Sequence, residues 1–314
     1  MTIISPQPTL GQKISSRLPR EVNTTVRRLS VLSLIGQTVL IGTGGAVRLT
    51  SSGLGCPTWP RCTDGSLVNT PESGIHGVIE FGNRTLTFVL ALIAGLMLVY
   101  LWNLRKERKD LFLLAVGLLA SIPAQAIIGG ITVLTGLNPW IVGLHFLVSM
   151  ALVVFATLLV NRTYGRTGQA MNRRLTAVPA VMAPLMRVVA GFSALAVILG
   201  VVVTGAGPHA GDANAPRNGL DWDLVSHFHA VPAYVITAGT LFAFYVVLRR
   251  GIRGEFRTSV LLLLVVTVLQ AVIGFTQYFN GIPALLVGIH MVCAALLMAA
   301  ATNTADIARH SPKS

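Results

Sequence analysis

The sequence predicts an all-α membrane protein. Eight transmembrane helices form two four-helix bundles related by a pseudo-twofold axis, with both termini cytoplasmic. Three observations predict this. First, 53% of the 314 residues are hydrophobic and only 11% charged, with mean hydropathy +0.70; a single soluble core does not have this balance. Second, the apolar residues fall into eight runs, each long enough to span a bilayer. Third, AQAIIGGITVLTGLNPWIVGLHFLVSMALV at 124–153 recurs without a gap as LQAVIGFTQYFNGIPALLVGIHMVCAALLM at 269–298.

The spans are expected near 29–47, 76–102, 110–136, 139–161, 186–206, 224–248, 258–279 and 282–305. Residues 1–28 are polar and basic, and the apolar run after them lacks a small-residue cleavage site. They read as a cytoplasmic tail before a retained helix. The joints then alternate in charge. Lys13, Arg17, Arg20, Arg27 and Arg28 precede the first span, and Arg105, Lys106, Arg108 and Lys109 fill the second joint. Arg162, Arg166, Arg173, Arg174 and Arg187 fill the fourth, Arg249, Arg250, Arg253 and Arg257 the sixth, and Arg309 and Lys313 end the chain. That places 20 of 24 basic residues on one side, leaving Arg48, Arg61, Arg84 and Arg217 on the other. The excess of Lys and Arg marks the cytoplasmic side of a cell (plasma) membrane protein. The net charge of +13 is explained the same way. No basic stretch carries interleaved aromatics, so a nucleic-acid partner is not expected.

The repeat keeps one shift of 145: Gln125/Gln270, Gly129/Gly274, Gly143/Gly288 and His145/His290. The first helix of each half ends alike, in Thr43-Gly44 and Thr204-Gly205. Four helices per half is an even number, so the halves share one orientation and the axis runs along the membrane normal. The N-terminal half is expected at 29–161 and the C-terminal half at 188–305. A cytoplasmic linker at 162–187 joins them, and a tail follows at 306–314. The linker is long and basic, which suits either a docking surface or a plain connection.

The stretch Arg48 to Arg84 stands apart. Cys56 and Cys62 lie in an outer loop at 48–75, on the extracytoplasmic side where disulfides persist. Their spacing sterically allows a bond between them, whereas a zinc site would lack further ligands nearby. The helix that follows carries His76, Glu80, Asn83 and Arg84 at i, i+4, i+7 and i+8, on one face. Glu80 is a carboxylate inside a predicted span. It forms a favourable i, i+4 pair with Arg84 and is also a candidate to act on protons or developing charge.

Of the seven histidines, His310 falls in the tail and His209 in the second outer loop. His76, His145, His227, His229 and His290 open the even-numbered helices at one expected depth. Facing helices that each present an imidazole can bracket a porphyrin, with haem iron held axially. Copper is disfavoured because neither Met nor Cys clusters with them. His227 and His229 point about 200° apart, and periodicity does not choose between them. Arg48, Arg84 and Arg217 are candidates for haem propionates or for ordinary interfacial anchoring. Cys293 sits alone in an apolar helix.

These residues resemble the haem A synthase family over nearly the whole chain. The resemblance rests on RLTSSGLGCPTWPRC, on IEFGNR, on the two Gln…Gly…His segments and on TGAGPHAGD. It implies an oxidoreductase that converts the C8 methyl of haem O, its substrate, to the formyl group of haem A for cytochrome oxidase. It further implies a haem b cofactor in the C-terminal half, ligated by His229 and His290, with Arg217 nearby. The substrate haem would lie in the N-terminal half near His145, His76, Asn83, Arg84 and Arg48, with Glu80 catalytic and Cys56–Cys62 disulfide-bonded. Many members carry a histidine where this chain has Asn83, so His76 replaces it or His145 holds the substrate alone. Some members also carry a second cysteine pair, which the second outer loop lacks. A haem O synthase and an electron-transfer protein are candidate partners.

Two other classes fit parts of the pattern. A two-haem b-type membrane electron carrier would use the same histidines, but a relay keeps two bis-His sites and has no use for Glu80. A transporter of parallel repeats needs a polar midplane, and here that offers little beyond Gln125 and Gln270.

Overall fold

The computed structural model describes residues 16–171 and 175–314. Lys13, Arg173 and Arg174, counted above among the basic joints, lie outside the described residues. Eight helices are long and apolar enough to cross a membrane. They are α1 (Thr24–Leu49), α2 (Gly74–Tyr100), α3 (Lys109–Leu134), α4 (Pro139–Thr163), α5 (Met182–Ala206), α6 (Trp222–Arg249), α7 (Glu255–Phe279) and α8 (Ala284–His310). Among the described residues there is no strand beyond isolated bridges. This is a multi-pass membrane protein.

Several helices start earlier than hydropathy predicts, because polar caps extend them past their apolar runs. Asn23 accepts from the Val26 amide at 3.0 Å, and Asp221 accepts from the Leu224 amide at 2.8 Å. Pro139 opens α4 in the first helical position, where its missing N–H costs nothing. At the other end of the chain α8 continues through Asp306 to His310 instead of ending near 305. His310, expected in a solvated tail, is half-buried there, with Nδ1 2.8 Å from the Asp306 carbonyl.

Helices α1–α4 pack as one closed ring and α5–α8 as another. Between the rings, α1 meets α8, α4 meets α5, and α4 meets α8. This contact pattern is unchanged when the rings are exchanged. Ile41, Met150, Val153, Val197, Ala295 and Met298 fill the seam, and such van der Waals packing is what holds helices together in lipid. Asn161 and Asp306, one shift of 145 apart, touch each other: Asn161 Nδ2 donates to Asp306 Oδ2 at 3.1 Å. Equivalent residues in contact lie on the pseudo-twofold axis. Asp306 is buried and also accepts from Thr167 Oγ1 at 2.7 Å, with Arg162 at 3.6 Å. Outward faces carry large exposed apolar side chains such as Phe88, Leu113 and Leu285, as a lipid-facing surface requires.

Candidate functional site

At the end of the bundle away from the basic joints, the loop between α1 and α2 is closed by the Cys56–Cys62 disulfide. Glu80, on the second turn of α2, is 6% exposed. Arg84 Nη2 donates to Glu80 Oε1 at 2.6 Å, which is the i, i+4 pair read from the sequence. The other oxygen, Oε2, accepts the Cys56 amide at 2.7 Å. Arg84 also donates to the carbonyls of Cys56 at 3.1 Å and Thr58 at 3.4 Å. Carboxylate and guanidinium together clamp the disulfide loop onto α2. The backbone partner had no sequence signal, since an amide carries no side-chain signature.

Two glycines bring the loop close. At Gly55 an added Cβ would lie 2.3 Å from the His76 carbonyl, so the loop crosses the first turn of α2 where only glycine fits. Trp59 lies on Gly130 of α3, where an added Cβ would come within 2.4 Å of the indole ring. The loop therefore covers the ends of both α2 and α3.

Beneath this cover, His145 of α4 rests on the residue beside Gly130. A Cβ at Gly129 would lie 3.3 Å from the imidazole Cε1. In the other ring of helices, His290 of α8 rests on Gly274 at 3.3 Å and His229 of α6 on Gly200 at 3.0 Å in the same sense. Gln125 Nε2 donates to the His145 carbonyl at 3.2 Å and to Ser149 Oγ at 2.7 Å. Gln270 Nε2 donates to the His290 carbonyl at 3.3 Å and lies 3.2 Å from its Nε2. The repeated Gln…Gly…His pattern is thus one packing unit, used twice.

The structure brings the rings of His229 and His290 together edge to face, with centroids 6.3 Å apart and planes at 70°. Two imidazoles on opposite sides of one metal ion, with bonds of about 2 Å each, hold their centroids about 6 Å apart. The buried Nδ1 atoms of His145 and His290 have no hydrogen-bond partner among the described residues, and the His229 ring is held by the Ala196 backbone at most. Buried polar groups normally have one, so these rings fit a group that the chain does not itself supply. His229 and His290 could together hold a haem iron.

The other candidates sit elsewhere. His227 points away from His290 and is exposed; its Nδ1 lies 2.8 Å from the Asp223 carbonyl. His76 is exposed on the first turn of α2, with Nδ1 2.9 Å from Ser52 Oγ. It lines an open cavity of about 440 Å³ with Glu72, Asp212 and the loop. His76 is two residues into its helix, about 3 Å, whereas His145, His229 and His290 are six or seven residues in, about 9–10 Å. The expected common depth therefore holds for three histidines, and Glu80, six residues in, is the α2 group at their level. Asn83 is half-buried and its Oδ1 accepts from Thr43 Oγ1 at 2.7 Å.

The arginines are tied to backbone carbonyls. Arg48 crosses from α1 to the opposite ring, donating to the His209 carbonyl at 2.6 Å and the Thr204 carbonyl at 2.8 Å. Arg217 is exposed and donates to the carbonyls of Ala215 at 2.6 Å and Pro208 at 2.7 Å. His209 Nε2 meets the Ile282 carbonyl at 2.9 Å. Asp306, placed in a tail by the sequence reading, is a buried carboxylate that reading missed; its signal was the 145 shift from Asn161.

Comparison with known proteins agrees in one direction. The family model described as COX15-CtaA, cytochrome oxidase assembly protein, matches residues 27–302. The protein named Heme A synthase from Listeria monocytogenes serovar 1/2a is 28% identical over 283 residues, covering 86% of this chain and 91% of its own. The Heme A synthase of Listeria welshimeri matches with the same identity and coverage. That of Lysinibacillus sphaericus is 32% identical over 145 residues, 44% of this chain and 46% of its own.

Proposed function

The chain belongs to the COX15-CtaA family of cytochrome oxidase assembly proteins, and from that premise we propose that it works as a haem A synthase, an oxidoreductase of haem A biosynthesis. The substrate is haem O, whose C8 methyl becomes a formyl group. The net change is methyl plus water to formyl, with four protons and four electrons released. One observation carries the division of labour: the two rings of helices are not equipped alike. One presents the facing pair His229 and His290, 6.3 Å between centroids. The other presents His145 and the carboxylate of Glu80, and no second histidine ring is paired with His145 among the described residues.

In this reading the C-terminal half, 188–305, holds haem b as resident cofactor through His229 and His290. Bound there, it supplies one-electron redox chemistry. The N-terminal half, 29–161, takes the substrate haem, with His145 as its iron ligand. Glu80 has one lone pair on each oxygen beyond its bonds to Arg84 and the Cys56 amide. It can receive a proton leaving the reacting carbon, or face positive charge that develops as water adds. Arg84 and the Cys56 amide hold the carboxylate still. The loop bearing Trp59 screens the site from bulk water, which strengthens such interactions.

Arg48 and Arg217 keep N–H donors beyond their carbonyl bonds and serve as propionate partners. Asn83 and His76 border the substrate half. The basic joints face the cytoplasm of a cell membrane and the disulfide loop the extracytoplasmic side, following the charge asymmetry.

The test is haem extraction and chromatography on protein purified from cells that also make haem O. Haem B together with haem O or haem A is expected. Two equivalents of haem B alone would replace this reading with a two-haem electron carrier.

A further inference from the structure

We propose that the ends of α6 and α7 nearest the disulfide loop form a headgroup site for a membrane quinone, which accepts the electrons leaving the His229–His290 pair. The proposal rests on the reading above of that pair as the seat of a redox cofactor.

Trp222 and Tyr278 stack across the α6–α7 seam, with centroids 5.6 Å apart and planes at 19°. The Tyr278 hydroxyl donates to Asp223 Oδ1 at 2.7 Å. His227 closes a third side, edge-on to Tyr278 at 6.1 Å. Phe279 packs against Tyr278 at 5.3 Å and is itself 76% exposed. Exposed apolar residues need no explanation on a lipid-facing surface. Asp223, 64% exposed in the first turn of α6, is favoured there by the helix dipole, and it puts an acceptor beside the stacked tyrosine and the histidine.

The position ties the cluster to the redox pair. Tyr278 is one turn beyond Gly274, which carries the His290 ring, and so lies about 6 Å further along α7 on nearly the same face. Trp222 is seven residues, two turns, before His229 on the same stripe of α6. The stack is therefore the aromatic group between the histidine pair and that end of the bundle.

The chemistry suits a quinone. Its ring is flat and extends an aromatic stack. A quinone carbonyl accepts from Tyr278 when that hydroxyl turns away from Asp223 Oδ1, and the hydroxyls of the product quinol donate to the carboxylate this leaves open. Its isoprenoid tail belongs against the exposed Phe275 and Phe279. The balance closes: each quinone takes two electrons and two protons, so two quinones accept what one methyl-to-formyl conversion releases. The protons enter from water at the exposed Asp223 side chain.

The test uses the full chain in phosphatidylcholine nanodiscs, with haem content first read from the reduced-minus-oxidised spectrum. A photoreactive azidoquinone is added, with decylubiquinone as competitor, and labelled peptides are mapped, in haem-loaded and haem-free protein alike. Label is expected in 222–229 and 275–279, displaced by competitor. Tyr278→Phe should weaken labelling about fivefold, the loss of one hydrogen bond. In the loaded, reduced protein, Trp222→Leu with Tyr278→Phe should slow reoxidation by decylubiquinone about tenfold or more at unchanged haem content. Reoxidation by ferricyanide should be unaffected. Label spread over all lipid-facing helices, or reoxidation at the wild-type rate in the double variant, overturns the quinone site and leaves the cofactor reading standing. Label at the stack in protein that never binds haem supports the site and removes the cofactor reading instead.

Discussion

The two four-helix halves use one scaffold to present different chemistry. In both, a Gln on the third helix holds the carbonyl of a His on the fourth, and a Gly one turn along makes room for the ring. They part at the second helix. In the C-terminal half α6 brings His229 onto Gly200 and opposite His290. In the N-terminal half α2 brings Glu80 to that level, and the next turn offers Asn83, held by Thr43 of α1. The loops differ in the same direction. The N-terminal loop is disulfide-closed, clamped by Glu80 and Arg84 and laid over Gly130. The C-terminal loop has no cysteine and is held by Arg48, which reaches in from α1. The two cradles are alike, and they differ at α2 and α6: one presents a pair of imidazoles, the other an imidazole with a carboxylate at its level.

The largest expected effect comes from removing what the C-terminal half lacks. Glu80→Gln keeps the Cys56 amide contact and the loop but loses the charge. Conversion of haem O to haem A should fall about a hundredfold, with haem content and thermal stability close to the parent. Unchanged haem A output in that variant means Glu80 only clamps the loop.

The matching experiment in the other half concerns His229. His229→Ala should abolish the low-spin b-type spectrum, as should His290→Ala, whereas His227→Ala should keep it. Loss of that spectrum in His227→Ala alone would reverse the assignment. Periodicity left these two histidines open because two residues apart on a helix gives two faces and no way to know which is lined. In the structure His229 is the one that packs inward, on Gly200.

The same limit explains what else was hidden. Eight spans were legible because lipid demands long apolar runs, and the repeat made the equivalence of His145 and His290 visible. His76, by contrast, shares a helical face with Glu80, yet the loop comes between them in effect: Gly55 crosses the first turn of α2 and Ser52 takes the imidazole. A helical face is readable from spacing, whereas its cover depends on a loop whose path runs through backbone hydrogen bonds. Arg48 was legible as a charge on the sparse side, but not as a tie between halves, since its partners are carbonyls.

A smaller effect is expected where the halves meet on their axis. An exact twofold would place two identical residues there, and two aspartates would repel. This chain has Asn161 against Asp306, with Thr167 and Arg162 completing the shell. Asp306→Ala leaves those donors buried without an acceptor and should cost about 3 kcal/mol, read as a lower thermal midpoint in detergent. Asp306→Asn keeps an acceptor and should cost about 1 kcal/mol. If both variants are equally stable to the parent, the seam is held by Met150, Val153, Ala295 and Met298 alone.

The finest test asks whether the asymmetry can be erased. Asn83→His would put an imidazole one turn beyond Glu80 on α2, where the family pattern often has one. Asn83 now spends its Oδ1 on Thr43, so the substitution trades one hydrogen bond for an imidazole that could join His145 in holding the substrate haem. The lost hydrogen bond should lower stability by about 1 kcal/mol, while haem O binding should tighten. The spectrum is the sharper readout. On the proposed reading, a haem held in the N-terminal half by His145 alone would be high-spin, whereas two imidazoles would make it low-spin, like one held by His229 and His290. A low-spin signal doubled per chain in Asn83→His would mean that a single side chain on α2 keeps the halves distinct in ligation, with Glu80 keeping them distinct in chemistry. An unchanged spectrum would mean that α2 stands too far from His145 at that turn, and that the two cradles diverged in backbone as well as in side chains.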